Sequence, residues 1–153
     1  AREEKQDKPE PPKKPKAPSI SDYPMKWYYF MIYGLLIVSA VGSFISSLIS
    51  FADGSVIMGL ISIAIGIDAL VTRSALANLR SSGPGQLLAY FAVSYGVNIV
   101  DCLIEYNDQP ILFREMGLGE VYLWMVAIYL IAALIQIGCN ASYFGKRKPL
   151  FTN

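Results

Sequence analysis

Carboxylates that fall inside apolar sequence are the side chains best placed to do chemistry. Asp68 lies in Ile65-Gly66-Ile67-Asp68-Ala69-Leu70, well within a long apolar run. A charge at mid-membrane costs about 2.5–3.5 kcal/mol on insertion scales, so such a group is expected to face a partner or a water-filled path. It then acts either as an ion or proton relay or as a protonated or hydrogen-bonded clamp between helices, reaching toward Arg73. One acid without a partner base makes a poor pathway, which favours the clamp. Ser94, Asn98, Asp101 and Glu105 follow at spacings of four, three and four, which lines one face of a helix. That stripe must look inward, at a cavity or at another helix. Two carboxylates with an amide suit a hard cation. The simpler reading places Glu105 at the headgroups and hydrogen-bonds Asp101 to a neighbouring helix. Asp68 and Asp101 belong near opposite leaflets and form no single site.

Gln136 and Asn140 stand one turn apart and are expected to hydrogen-bond across helices, worth about 0.6 kcal/mol on average. Small residues are arranged for packing. Ser39, Ser43 and Ser47 repeat every four residues, beside Gly42, Ser46 and Ser50, and a later run carries Ser55, Gly59, Ser62 and Gly66. Such small-xxx-small faces let helix backbones approach closely, within one chain or between chains.

Other chemistry has little to work with. There is no His, and Cys102 and Cys139 are the only cysteines, at no metal-ligand spacing. No phosphate-binding loop, dinucleotide fingerprint or nucleophile elbow is present. A formal charge of +1 suggests no nucleic-acid partner. Neither an enzyme nor a cofactor is expected.

The elements that must position these residues are helices in lipid. Of the 153 residues, 54% are hydrophobic and 16% charged, and the mean hydropathy is +0.40. Twelve of the 25 charged residues fall in the first 26 positions, together with six of the nine prolines. That Lys/Glu/Pro-rich segment cannot bury a core and is expected to be extended or disordered. It is no secretory signal, lacking an apolar stretch and a small-residue cleavage site. The chain opens on Ala rather than Met, which leaves room for a removed upstream part.

Four apolar runs follow, at about 27–52, 55–79, 86–106 and 121–144. About 20 helical residues cross a ~30 Å hydrocarbon core. A soluble bundle would need a polar outer stripe, and a membrane barrel short alternating segments. Neither pattern is present. The expected fold is all-α: a four-helix transmembrane domain over residues 27–145, with a basic C-terminus at 146–153.

Charge sets the expected orientation. With the N-terminus inside, twelve Lys and Arg residues lie in cytoplasmic segments and only Arg114 outside, against Asp53, Asp108, Glu115 and Glu120. Short loops follow this positive-inside bias. Trp27, Tyr28, Tyr29, Tyr143 and Phe144 then mark the inner boundary, and Tyr106, Tyr122 and Trp124 the outer one. The apolar middle of the third connection, from Pro110 to Phe113, is expected on the outer membrane surface or against a partner. Cys102 and Cys139 fall near opposite faces, on the order of 20 Å apart, too far for a disulfide.

The opening of the first run, Met25-Lys26-Trp27-Tyr28-Tyr29-Phe30-Met31-Ile32-Tyr33, resembles that of a group of small bacterial four-helix membrane proteins of unknown function. Some of those carry a short zinc ribbon before it; no such cysteines precede it here. The resemblance implies a bacterial inner membrane and brings no activity with it.

The expected function is that of a structural or accessory subunit, packed against other membrane proteins or against copies of itself in the bilayer. The alternative is a small oligomeric transporter or channel using its intramembrane carboxylates. Small four-helix multidrug exporters rely on a Glu in the first helix, and no acid stands there. The topology is directly testable in a cysteine-free background. Lys8→Cys and Lys148→Cys should resist an impermeant thiol reagent in intact cells, whereas Asp108→Cys should be labelled; labelling at either terminus reverses the orientation.

Overall fold

The computed structural model describes residues 23–108, 116–117 and 119–152. Most of the proline-rich segment and the Pro110–Phe113 stretch of the third connection lie outside them. Among the described residues the fold is all-helical. It comprises α1 (Lys26–Ala52), α2 (Val56–Ala77), α3 (Gly83–Asp108) and α4 (Glu120–Gly145), followed by a single 3₁₀ turn at Lys148–Leu150. All four long helices are apolar and long enough to cross a membrane. The shortest, α2, has 22 residues and measures about 33 Å at ~1.5 Å per residue. The architecture is that of an integral membrane protein.

Local chemistry sets the ends. Gly54, at φ +79°, closes α1, with Gly54 N–H donating to Phe51 O and Ser55 N–H to Ser50 O. This paired arrangement satisfies the last carbonyls of a helix and favours glycine in the left-handed position. Leu79 takes the same role after α2, with φ 51°. Its N–H donates to Leu76 O and that of Arg80 to Ala75 O. A left-handed leucine costs about 1–2 kcal/mol, offset here by its packing against the core. The third helix begins at Gly83, earlier than the apolar run suggests, because Pro84 lacks only an N–H that no first turn uses.

One irregularity interrupts α1. Residues Met31–Leu35 form a π turn, in which Leu36 N–H reaches back to Met31 O. The N–H that an α-helix would send to Ile32 O is therefore taken elsewhere, and Arg73 Nε–H of α2 donates to that carbonyl at 3.0 Å.

Two hairpins compose the bundle. α1 packs along α2, and α4 along α3, while the hairpins meet chiefly through α2 and α3. The buried core is gathered at the end that carries both termini. It includes Met31, Ile32, Leu36, Ala69, Leu76, Leu87, Tyr90, Phe91 and Phe144. Beyond the basic Lys146, Arg147 and Lys148 the C-terminus folds back on the bundle: Leu150 and Phe151 are buried, and the Phe151 ring packs edge-on against Phe144 and Tyr28, at 5.6 and 6.3 Å between centroids. Two apolar residues beyond Pro149 have a ready-made aromatic surface to cover.

A close backbone-to-backbone junction lies at that same end. A Cβ placed on Gly83 would stand 3.2–3.3 Å from backbone atoms of Ala75 and Leu76, which cannot swing aside. Gly85 has nothing within 4 Å of the equivalent position. Gly83→Ala is expected to destabilise the protein by about 1–3 kcal/mol through overpacking, whereas Gly85→Ala should not destabilise it. Thermal unfolding of the two variants in one mild detergent checks the contrast.

Candidate functional site

The serines and acids gather around a void. A cavity of about 630 Å³ is bounded by α1, α2 and α3. α1 contributes Ser39, Gly42, Ser43, Ser46 and Ser50, and α2 contributes Ser62 below Ser55 at its cap. α3 contributes Tyr90, Ser94, Asn98, Asp101 and Glu105. From Glu105 to Tyr90 is 15 residues of α3, or about 22 Å at ~1.5 Å per residue. The vestibule thus extends from the end remote from the termini to the middle of the bundle. Tyr90 lines it at the depth where the apolar core begins. A smaller space of about 170 Å³, sharing Ser39, Tyr90 and Ser94, continues toward Gln136 of α4.

Asp53, Asp101 and Glu105 sit at the end remote from the termini. Asp101 is half-buried, while Asp53 and Glu105 are exposed. None pairs with a described Lys or Arg. Among the described residues no group of three or more acids, cysteines or histidines is close enough to hold a metal ion. The acids form a rim of negative charge above a shaft of hydroxyls. Asn98 Nδ2–H donates to Ser94 O at 2.7 Å, and no described group donates to its Oδ1. Serine hydroxyls donate and accept, so the wall suits a solute rich in N–H and O–H groups, and the rim favours a positive one.

Small residues divide between two tasks. Gly59 and Gly66 pack under the Phe51 and Phe44 rings of α1, Gly66 at 3.0 Å from ring to ideal Cβ position. Ser47 is buried. Ser39, Ser43 and Ser62, by contrast, line the vestibule instead of a helix–helix contact. The repeat marks a face in either case; the separation of α1 from α3 makes part of it a wall.

Asp68 does not clamp to another described residue: it is exposed on α2, outside the vestibule, and makes no hydrogen bond or ion pair among the described residues. Arg73, to which it was expected to reach, is turned toward α1 instead. α2 packs on α1 and α3 through Gly59, Gly66, Ala69 and Thr72, and that rotation carries Asp68 to the outside.

Of the two α4 amides, Asn140 bridges helices, while the hydrogen bonds of Gln136 stay within α4. Trp27 Nε1–H donates to Asn140 Oδ1 at 3.1 Å, and Asn140 Nδ2–H donates to Gln136 O at 2.7 Å. Trp27 and Tyr28, expected as interface anchors, are tertiary contacts: Tyr28 is buried and its hydroxyl donates to Leu76 O at 2.7 Å. Tyr143 closes the start of α1, accepting from Tyr28 N–H at 3.3 Å and donating to Pro24 O at 3.2 Å. Arg147 adds Nη2–H to the same Pro24 carbonyl at 2.9 Å and lies 3.6 Å from the Tyr143 ring centre. The two cysteines are free, Cys102 buried and Cys139 exposed.

In the sequence Asp53 stood only as a loop charge and Arg73 only as a group for Asp68 to reach, and Tyr90 was not singled out. A lone Arg within an apolar run was the one available signal. The Trp27–Asn140 bond can be measured directly. In a double-mutant cycle of Trp27→Phe and Asn140→Leu, each variant should lower stability, and the pair should couple by about 0.6–1.7 kcal/mol. Additive losses in thermal unfolding contradict the bond.

Comparisons with protein-family models, with curated proteins and with solved structures find no match.

Proposed function

We propose that this protein is a small solute-binding unit of a transporter or channel, which admits a small organic cation to the serine-lined vestibule. The observation that carries this reading is a void of about 630 Å³ with polar walls in a four-span membrane protein. Helices surrounded by lipid gain nothing by turning serine, Asn98 and Asp101 toward an empty space; water or a polar solute in it supplies their missing partners. The volume falls within the ~300–1,000 Å³ of typical small-molecule sites. The charge bias supports a vestibule open to the outside, with both termini in the cytoplasm, and the resemblance of the α1 opening supports a bacterial inner membrane.

A second reading, an accessory subunit packed against other membrane proteins, has its own support. Asp68 stands exposed on a membrane helix without a partner among the described residues, and Gly42, Gly96 and Gly138 have no described atom within 4 Å of their Cβ positions. In that reading a partner helix fills the gap between α1 and α3.

Cysteine accessibility separates the two. In a cysteine-free background, Ser43→Cys and Ser94→Cys should react with a cationic methanethiosulfonate reagent at least about tenfold faster than with an anionic one, because the acidic rim concentrates cations. Adding Asp101→Asn and Glu105→Gln should remove most of that difference. Ala64→Cys, on the exposed side of α2, should react with neither. Protection of both vestibule positions in native membranes favours the accessory reading.

A further inference from the structure

Arg73 and the π turn of α1 form a second polar feature, separate from the vestibule. Arg73 lies four residues before the end of α2, about 6 Å along the axis, which places it near the edge of the hydrocarbon. Its Nε–H is committed to Ile32 O at 3.0 Å. The guanidinium carbon stands 5.8 Å from the Tyr33 ring centre, and Tyr33 stacks on Tyr29 at 6.2 Å with 19° between planes. Tyr29 and Tyr33 are 47% and 64% exposed, so this tyrosine pair faces outward. Held by one nitrogen, the guanidinium keeps its two Nη groups without a bond among the described residues.

Among the described residues no anion meets that fork. Lys26, Arg73, Arg80, Lys146, Arg147 and Lys148 all belong to the termini end. No described acidic side chain lies closer along the helices to that end than Asp68, which is not paired with Arg73. A half-buried guanidinium at the hydrocarbon edge needs a counter-charge, and no described residue provides one.

We propose that the Nη fork of Arg73, beside the Tyr33 ring that stacks on Tyr29, binds the phosphate of an anionic phospholipid headgroup. A guanidinium fork matches phosphate oxygens in pairs, and basic pockets between helices at the cytoplasmic face are suited to anionic headgroups. The site is exposed sideways, where a lipid arrives with its tails along α1 and α2. The π turn supplies the carbonyl that fixes Nε, so the fork is aimed before the lipid binds.

Native mass spectrometry of the full chain in mild detergent, titrated with phosphatidylglycerol or phosphatidylcholine, tests this. The wild type should bind the anionic lipid about tenfold more tightly, as expected for charge-assisted paired bonds. Arg73→Gln should abolish that preference with its helical content retained. Arg73→Lys should lose most of it, having a charge but no fork. Arg80→Gln and Lys146→Gln should leave it intact. If Arg73→Gln fails to fold, Tyr33→Leu, at an exposed position, should still weaken the anionic lipid several-fold. Inorganic phosphate in large excess should not displace the lipid. Equal affinity for the two lipids, an unchanged preference in Arg73→Gln (in Tyr33→Leu if that variant does not fold), equal losses in all the basic-residue variants, or displacement by inorganic phosphate would each overturn the proposal.

Discussion

In lipid, a polar group without a partner in the chain has no water to fall back on, and the bundle is organised around meeting that demand at one end. Tyr28 ties α1 to α2 through Leu76 O, Trp27 ties α1 to α4 through Asn140, and Tyr143 with Arg147 secures Pro24 ahead of α1. Lipid tails are as apolar as leucine, so burial of Leu36 or Leu87 alone does not hold helices together; close packing and hydrogen bonds do. The polar contacts choose which faces meet, and Met31, Ile32, Leu76 and Phe144 fill the space between them.

That asymmetry shapes the rest. The hairpins touch through α2 and α3, with Gly83 set directly against the backbone of Ala75 and Leu76. Toward the other end a vestibule opens between α1, α2 and α3, lined by the serines and acids that would be costly against lipid. A single helix rotation thus has two consequences for α2: Ser62 faces the void, and Asp68 faces away from the chain. The first supports solute binding and the second supports a neighbour in the membrane. The two roles are compatible in an oligomer whose subunits each keep a vestibule.

The π turn belongs to the same logic. Widening α1 between Met31 and Leu35 takes Leu36 N–H away from Ile32 O, and the carbonyl finds Arg73. An arginine inside an apolar helix is tolerable when its head is held and its charge lies near the interface. Backbone irregularity and side-chain cost offset one another across the α1–α2 contact.

The number of spans, their approximate limits and the common face of Ser94, Asn98, Asp101 and Glu105 were legible in the sequence. Hydrocarbon thickness sets a length that apolar runs must meet, and helical periodicity aligns residues three and four apart. Even the Asn140 amide could be expected to cross between helices, though not that its partner would be Trp27. What neighbours each face depended on rotations that no local pattern encodes. Trp27 and Asn140 are 113 residues apart, and Arg147 and Pro24 are 123 apart; such pairs decide how each helix turns about its axis. Tertiary structure alone therefore made the serine repeat part of a vestibule wall, turned Asp68 outward, folded Phe151 onto Tyr28 and aimed Arg73 at an α1 carbonyl. The sequence determined what each helix carries, because lipid selects for length and apolarity; the tertiary contacts decided where each residue points, because in lipid only specific bonds and close packing distinguish one helix rotation from another.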